Sequence, residues 1–235
     1  MKWFVSAMDI LYEDNHLIAV NKTCNEIVQG DKTGDTPLVD LVKAYLKAKY
    51  NKPGAVYLGL PHRLDRPTSG VVLFAKTSKA LTRLNAMFGA HDQIRKTYWA
   101  ICANCPQPME GRLEHYLIRR EEQNKSYLTK PDARGAKQAL LNYRVIARSD
   151  RYYLVEVALE TGRHHQIRCQ LSAIGCPIKG DLKYGAARCN PDGGICLHAR
   201  RIEFVHPVSH QPISITAPVP DDPLWHAITG SVSDG

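Results

Sequence analysis

The run His62-Arg63-Leu64-Asp65-Arg66-Pro67-Thr68-Ser69-Gly70 leads directly into Val71-Val72-Leu73-Phe74-Ala75. An unbroken apolar run behind the turn formers Pro67 and Gly70 predicts a short strand buried on both faces. At its mouth stands one carboxylate, Asp65, between the guanidinium groups of Arg63 and Arg66. Nearby positive charge favours the ionised form, so Asp65 is expected to be a carboxylate at neutral pH. In that form it suits a nucleophile better than a proton donor. A strand end is also a rigid support for a reactive group. Taken as raw chemistry, however, the three charges are most simply a solvated ion-pair cluster of little energetic weight.

Strand and helix patterns extend outward from this run. Residues 10–22 read as two short strands joined by a turn at Asp14-Asn15. Thr36 is placed to cap a helix with Pro37 at its first position, and the apolar residues at 38, 41, 42, 45 and 46 share one face. Residues 78–88 predict a second helix, capped by Ser78 and ended by Gly89. Residues 96–101 read as a strand. The polar stretch 106–138 reads as an irregular or hairpin excursion over one face. Residues 140–147 and 152–159 read as strands, 166–174 as a short helix stopped by Gly175, and 195–205 and 212–217 as closing strands. Many strands with few helices between them predict an α+β architecture on a mixed, largely antiparallel sheet. No repeat, low-complexity segment or linker divides the chain, so residues 1–235 read as a single domain with its core at about 9–220.

Composition narrows the function classes. A hydrophobic fraction of 44% and a charged fraction of 23% are those of an ordinary soluble globular protein. No stretch has the length of a membrane span. The apolar patch in residues 1–9 is too short for a signal-peptide core and is soon followed by Asp9, Glu13 and Asp14. The reading is a cytoplasmic protein with no membrane partner. A formal charge of +8 favours a polyanionic partner, and the basic residues are spread through the chain rather than gathered in a tail. Seven cysteines is an odd count, which argues against a disulfide framework. Cys102 and Cys105 form half of a zinc-site spacing, but none of the other cysteines supplies the second half, so idle thiols are the better reading.

Two more motifs follow in order. Glu160-Thr161-Gly162-Arg163-His164-His165-Gln166-Ile167-Arg168 is trailed by a block from 174 to 185 that ends Gly180-Asp181-Leu182-Lys183-Tyr184-Gly185. Leu197-His198-Ala199 opens a last block that ends at His206-Pro207. Together with residues 62–70, these resemble the RluA-type family of RNA pseudouridine synthases. The first matches the family pattern H-R-L-D-x-x-T-S-G at all seven defined positions, and the second matches T-G-R-x-H-Q-I-R at every one. The opening strands also resemble the family, with Thr23 where its Asn-Lys-Pro has proline. The resemblance runs from about residue 9 to about residue 220.

The fold would be the pseudouridine synthase fold, a long, bent, mixed sheet with flanking helices and a central catalytic cleft. The small S4-type RNA-binding domain carried by many relatives would be absent. Asp65 would be the catalytic nucleophile, Arg168 the arginine that pairs with it, and Tyr98 the aromatic that stacks on the flipped base. Leu197 would line the uracil pocket. Arg63, Arg66, Arg163 and Lys179 would contact phosphates, and His62, His164 and His165 would be structural or phosphate-facing. The reaction would isomerise uridine to pseudouridine in ribosomal RNA, transfer RNA or both. It would need no metal or cofactor and no obligatory protein partner, and the enzyme would be a monomer. One alternative is a catalytically silent RNA-binding or RNA-chaperone protein on the same fold. Another is a glycosidic hydrolase, which ordinarily wants two carboxylates; only Asp181 offers a second.

Overall fold

The computed structural model describes residues 8–90, 92–230 and 232, so most of the N-terminal patch lies outside the described residues. Strands β1 (Ile10–Glu13) and β2 (Leu17–Lys22) are joined where the Asp14 carboxylate accepts the His16 and Leu17 N–H groups, both at 2.7 Å. Helix α1 (Leu38–Lys49) takes Pro37, not Thr36, as its N-cap. No side chain caps it; the Leu38 and Val39 N–H groups bond the Ile27 and Val28 carbonyls instead. A loop that satisfies these donors removes the need for a capping hydroxyl.

Strand β3 (Ser69–Ala75) is buried along its whole length. Alternation splits its side chains between two cores. Val71, Leu73 and Ala75 pack with Leu84 of α2 (Ser78–Gly89), while Val72 and Phe74 pack with Leu38, Val42 and Leu46 of α1. Helices on both faces explain why this strand reads as a continuous apolar run. Helix α2 is capped by Thr77, whose hydroxyl accepts the Ala80 N–H at 3.2 Å, rather than by Ser78.

The chain then runs through β4 (Ile94–Cys102), β5 (Glu110–Arg120), β6 (Lys125–Thr129), β7 (Lys137–Arg148), β8 (Tyr153–Leu159) and α3 (Gln166–Ala173). The polar stretch 106–138 is thus mostly a regular antiparallel hairpin, β5 with β6. A 3-10 turn at Leu182–Tyr184 precedes β9 (Leu197–Val205), β10 (Pro212–Thr216) and α4 (Pro223–Thr229). Helix α4 was not expected from the sequence. Its Asp222 cap accepts the Leu224 and Trp225 N–H groups, and Trp225 and Ile228 enter the core with β4, β7 and β8.

The described strands form one sheet in the order β1-β2-β3-β9-β4-β8-β7-β5-β6, with β10 on β9. Every described pairing is antiparallel except β3 with β9, which is confined to Ser69↔His198 and Gly70↔Ala199. The mixed, largely antiparallel sheet expected from the sequence is therefore present. The short parallel crossing brings the Asp65 turn beside Leu197 and the middle of β4. Gly70 permits it: its φ is +113°, and a Cβ there would stand 2.3 Å from the Ala199 carbonyl oxygen.

Candidate active site

Backbone ties fix the turn that carries Asp65. The Lys22 ammonium, 1% exposed, donates to the carbonyls of Thr23, Arg66 and Thr68 at 2.9, 2.9 and 2.7 Å. Burial lowers its pKa to about 8, so it still carries its three donors at neutral pH. Within the turn, the Thr68 N–H bonds the Asp65 carbonyl at 3.0 Å. His62 Nε2 accepts the Leu73 N–H at 2.9 Å and its ring stacks on Phe88. Burial, aided by the Lys96 charge, pushes the His62 pKa down to about 3, so it is a neutral structural group.

The second motif folds around Gln166. Its Oε1 accepts the Thr161 hydroxyl and the Arg163 N–H at 2.8 and 2.9 Å, and its Nε2 donates to the Leu140 carbonyl at 3.0 Å. This locks the start of α3 and aims Arg168 from its first turn. Arg168 Nη1 donates to Asp65 Oδ2 at 3.1 Å. Its Nε and Nη2 donate to the two oxygens of Asp181 at 2.7 and 2.8 Å. Burial works against the Arg168 charge, but the Asp181 and Asp65 carboxylates outweigh it and raise its pKa. Asp65 is 28% exposed, whereas Asp181 is 1% exposed with both oxygens engaged. Asp181 is therefore a support for Arg168 and not a second catalytic carboxylate, which removes the basis for a two-carboxylate hydrolase.

Tyr98 and Leu197 stand on adjacent strands and line the same cleft as Asp65 and Arg168. Burial, with the Asp65 charge adding to it, raises the Tyr98 pKa, so its phenol stays neutral. The cleft measures about 960 Å³ and is also lined by Arg63, Lys96, Arg119 and Arg163. A groove of about 1090 Å³ lies over Thr97 and Trp99, which alternate with Tyr98 along β4. It is of similar size, but it lacks Asp65 and the residues that hold it.

The four phosphate-contact candidates separate. Arg63 and Arg163 line the cleft, the first donating to Gln29 Oε1 and the second to the Gln138 carbonyl, both at 2.9 Å. Arg66 pairs with Asp35 and donates to Thr33 Oγ1 at 2.9 Å, and Lys179 donates to Asn190 Oδ1 at 2.6 Å; neither lines the cleft. Asp65 is accordingly held by Arg168 and not by its sequence neighbours. Among the described residues, no group of three or more His, Cys, Asp or Glu side chains is arranged to hold a metal ion. Sequence reasoning missed the supporting roles of Lys22 and Asp181, although both stand in matched motifs.

A mixed sheet carrying one arginine-held carboxylate in the same cleft as a tyrosine and rimmed with basic residues is the arrangement of an RNA-modifying synthase. The family model described as RNA pseudouridylate synthase matches residues 16–173, and the chain belongs to that family of isomerases. It is 32% identical over 225 residues to the ribosomal large subunit pseudouridine synthase D of Zymomonas mobilis, covering 92% of this chain and 70% of that protein. It is 31% identical over 231 residues to the tRNA pseudouridine synthase C of Pectobacterium carotovorum, covering 89% of this chain and 58% of that protein. The solved structure of human RNA pseudouridylate synthase domain containing 4 superposes with a TM-score of 0.77 at 26% identity, covering 91% of this chain and 89% of that one. The pseudouridine synthase fold is thereby shown. Among the described residues, no helix is long and apolar enough to cross a membrane.

Proposed function

We propose that the protein isomerises specific uridines of structured RNA, ribosomal or transfer, to pseudouridine, with Asp65 as the nucleophile. The observation that carries this is the Asp65–Arg168–Asp181 chain in a cleft that Tyr98 also lines. The target uridine leaves its stack at a cost of about a few kcal/mol, and phosphate contacts from Arg63 and Arg163 offset this. The Tyr98 face supports a base that must turn in place, while Leu197 closes the pocket. The N1–C1′ bond breaks, the uracil rotates, a C5–C1′ bond forms, the C5 proton leaves to solvent, and the freed N1 takes up a proton from solvent, so the product is an isomer of the substrate. Attack at C1′, attack at C6 and proton removal at C2′ all draw on the same carboxylate. The reading further takes the enzyme to be a cytoplasmic monomer that works without a cofactor.

The test maps pseudouridines in total RNA from a deletion strain, its parent, and a strain carrying Asp65→Ala. The expected result is one or more sites lost in the deletion and unrestored by Asp65→Ala. Full restoration by that variant overturns the assignment of Asp65.

A further inference from the structure

Asp65 Oδ2 has a second neighbour besides Arg168: Nε2 of His165 lies 3.5 Å away. Arg168 and His165 approach the same oxygen, and among the described residues no hydrogen bond reaches Oδ1. His165 is 7% exposed and holds a left-handed backbone at the start of α3, with φ +53° and ψ +26°. That conformation is uncommon outside glycine and persists only where the surroundings enforce it. Its ring is clamped by stacking on His164 at 3.8 Å between centroids. Its other nitrogen, Nδ1, lies 3.0 Å from the Tyr184 hydroxyl.

Proton accounting selects one tautomer. Burial, with the Arg168 charge next, pushes the His165 pKa down to about 2, so the ring is neutral and carries a single N–H. The Tyr184 oxygen accepts the Ser126 N–H at 2.9 Å. Its own proton has two acceptors in reach, His165 Nδ1 and the Ser126 carbonyl at 3.1 Å. That carbonyl also receives the Cys169 thiol at 3.4 Å, so it keeps a donor when the tyrosine turns toward the imidazole. The proton of His165 then sits on Nε2 and faces the carboxylate. The other tautomer would set a nitrogen lone pair against the negative charge of Asp65.

We propose that His165 is a positioning residue for Asp65, a neutral imidazole kept in the Nε2–H tautomer by Tyr184 that fixes one carboxylate oxygen and leaves Oδ1 to meet the substrate. The proposal rests on the uridine-isomerase reading. A neutral donor turns its N–H toward the carboxylate across 3.5 Å without a second cation beside Arg168, and it narrows the angular range of a carboxylate otherwise held by one nitrogen. The charged and titratable groups around the ring are Asp65, Arg168, His164, Tyr184, Lys183 and Arg119.

The first test needs no turnover. Nitrogen-15 spectra of the histidine-labelled full chain at neutral pH are expected to show His165, assigned by its loss in His165→Gln, with Nε2 protonated and Nδ1 bare. Asp65→Ala is expected to shift that balance toward Nδ1–H. A protonated Nδ1 in the wild type overturns the proposal.

The second test uses transcribed large-subunit ribosomal RNA and a transcribed tRNA pool, both labelled with tritium at uridine C5. Glutamine places an amide nitrogen near Nε2, whereas asparagine places one near Nδ1. His165→Asn should lower kcat about 10- to 100-fold with KM unchanged, the loss expected if the 3.5 Å contact closes to a hydrogen bond to the charged carboxylate during turnover. It should also move the acid limb of the kcat profile to higher pH, and His165→Gln should recover most of both. Equal losses in the two variants, or none in His165→Asn, overturn the positioning role. Absence of tritium release by the wild type on both RNAs overturns the isomerase reading instead, and the spectra still decide the tautomer.

Discussion

Arg168 is bound more closely to Asp181 than to Asp65: two of its nitrogens lie 2.7 and 2.8 Å from the first carboxylate and one lies 3.1 Å from the second. The guanidinium therefore belongs to the scaffold, and the half-exposed carboxylate is the one available to react. Removing one partner of a buried pair strands the other charge, at about 3–5 kcal/mol. Asp181→Asn should accordingly lower the urea-unfolding free energy by about 3 kcal/mol and cut kcat at least about tenfold through a loosened Arg168. Asp65→Ala should abolish turnover while costing about 1 kcal/mol or less, because the Arg168–Asp181 pair survives. Equal stability losses in the two variants would contradict this division of labour.

Three histidines kept neutral by their surroundings make acid sensitivity predictable. Burial is the leading cause in each case, placing His62 at about 3, His165 at about 2 and His198 at about 4. In the unfolded chain each returns to about 6.5. Between roughly pH 6.5 and 4 the unfolded chain thus binds more protons than the native one, and stability falls as pH falls. These groups contribute no pH dependence above about 7.5. Calorimetry in buffers of differing ionisation enthalpy should show an uptake on unfolding of at least about three protons at pH 5, with His115 and His164 adding to it, and close to none from these histidines at pH 8. Uptake below one proton at pH 5 would mean that the histidines are hydrated in the native state.

The sequence disclosed the parts of this site whose chemistry is local or motif-bound. The run 69–75 declares a two-face buried strand because both faces meet helices; the first two blocks led to Asp65 and Arg168, and the family resemblance at Lys96-Thr97-Tyr98 led to Tyr98. What stayed hidden depends on distance in the chain. Lys22 lies far from the turn it ties, and Asp181 reaches Arg168 only after α3 and the following turn have folded. Local sequence suggested that Arg63 and Arg66 flank Asp65 electrostatically, yet Gln29 and Asp35 claim them. The β5–β6 hairpin was obscured by its polar faces. Helix α4 did carry a signal, Asp222 before Pro223, but it is only two turns long.

Gly70 offers a test of the crossing that positions the Asp65 turn. Any side chain there meets the Ala199 backbone at 2.3 Å, from a φ of +113°. Backbone cannot yield as a flexible side-chain tip can. Gly70→Ala should destabilise the protein by about 3 kcal/mol or more, since strain and steric overlap combine. Amide exchange should show the loss of protection beginning at Ser69 and Gly70 and at the facing end of β9. A change under about 1 kcal/mol would show that the two strands separate freely.

The four basic candidates should differ in how RNA binding responds to salt. Each phosphate neutralised contributes roughly 0.7 to 0.9 to the slope of log affinity against log salt. Arg63 and Arg163 line the cleft, so Arg63→Ala and Arg163→Ala should each reduce that slope by about one contact. Lys179 lies outside the lining and bonds Asn190, so Lys179→Ala should leave the slope unchanged. Arg66 is neutralised by Asp35, and the sign of its variants follows from that pair. Asp35→Asn releases the guanidinium and should tighten binding while steepening the slope by up to about one contact. Arg66→Ala instead leaves Asp35 uncompensated beside the polyanion and should weaken binding. Filter-binding titrations of transcribed ribosomal and transfer RNA across a salt series read all of these differences. Identical slopes for Arg163→Ala and Lys179→Ala would mean that RNA does not follow the cleft that holds Asp65.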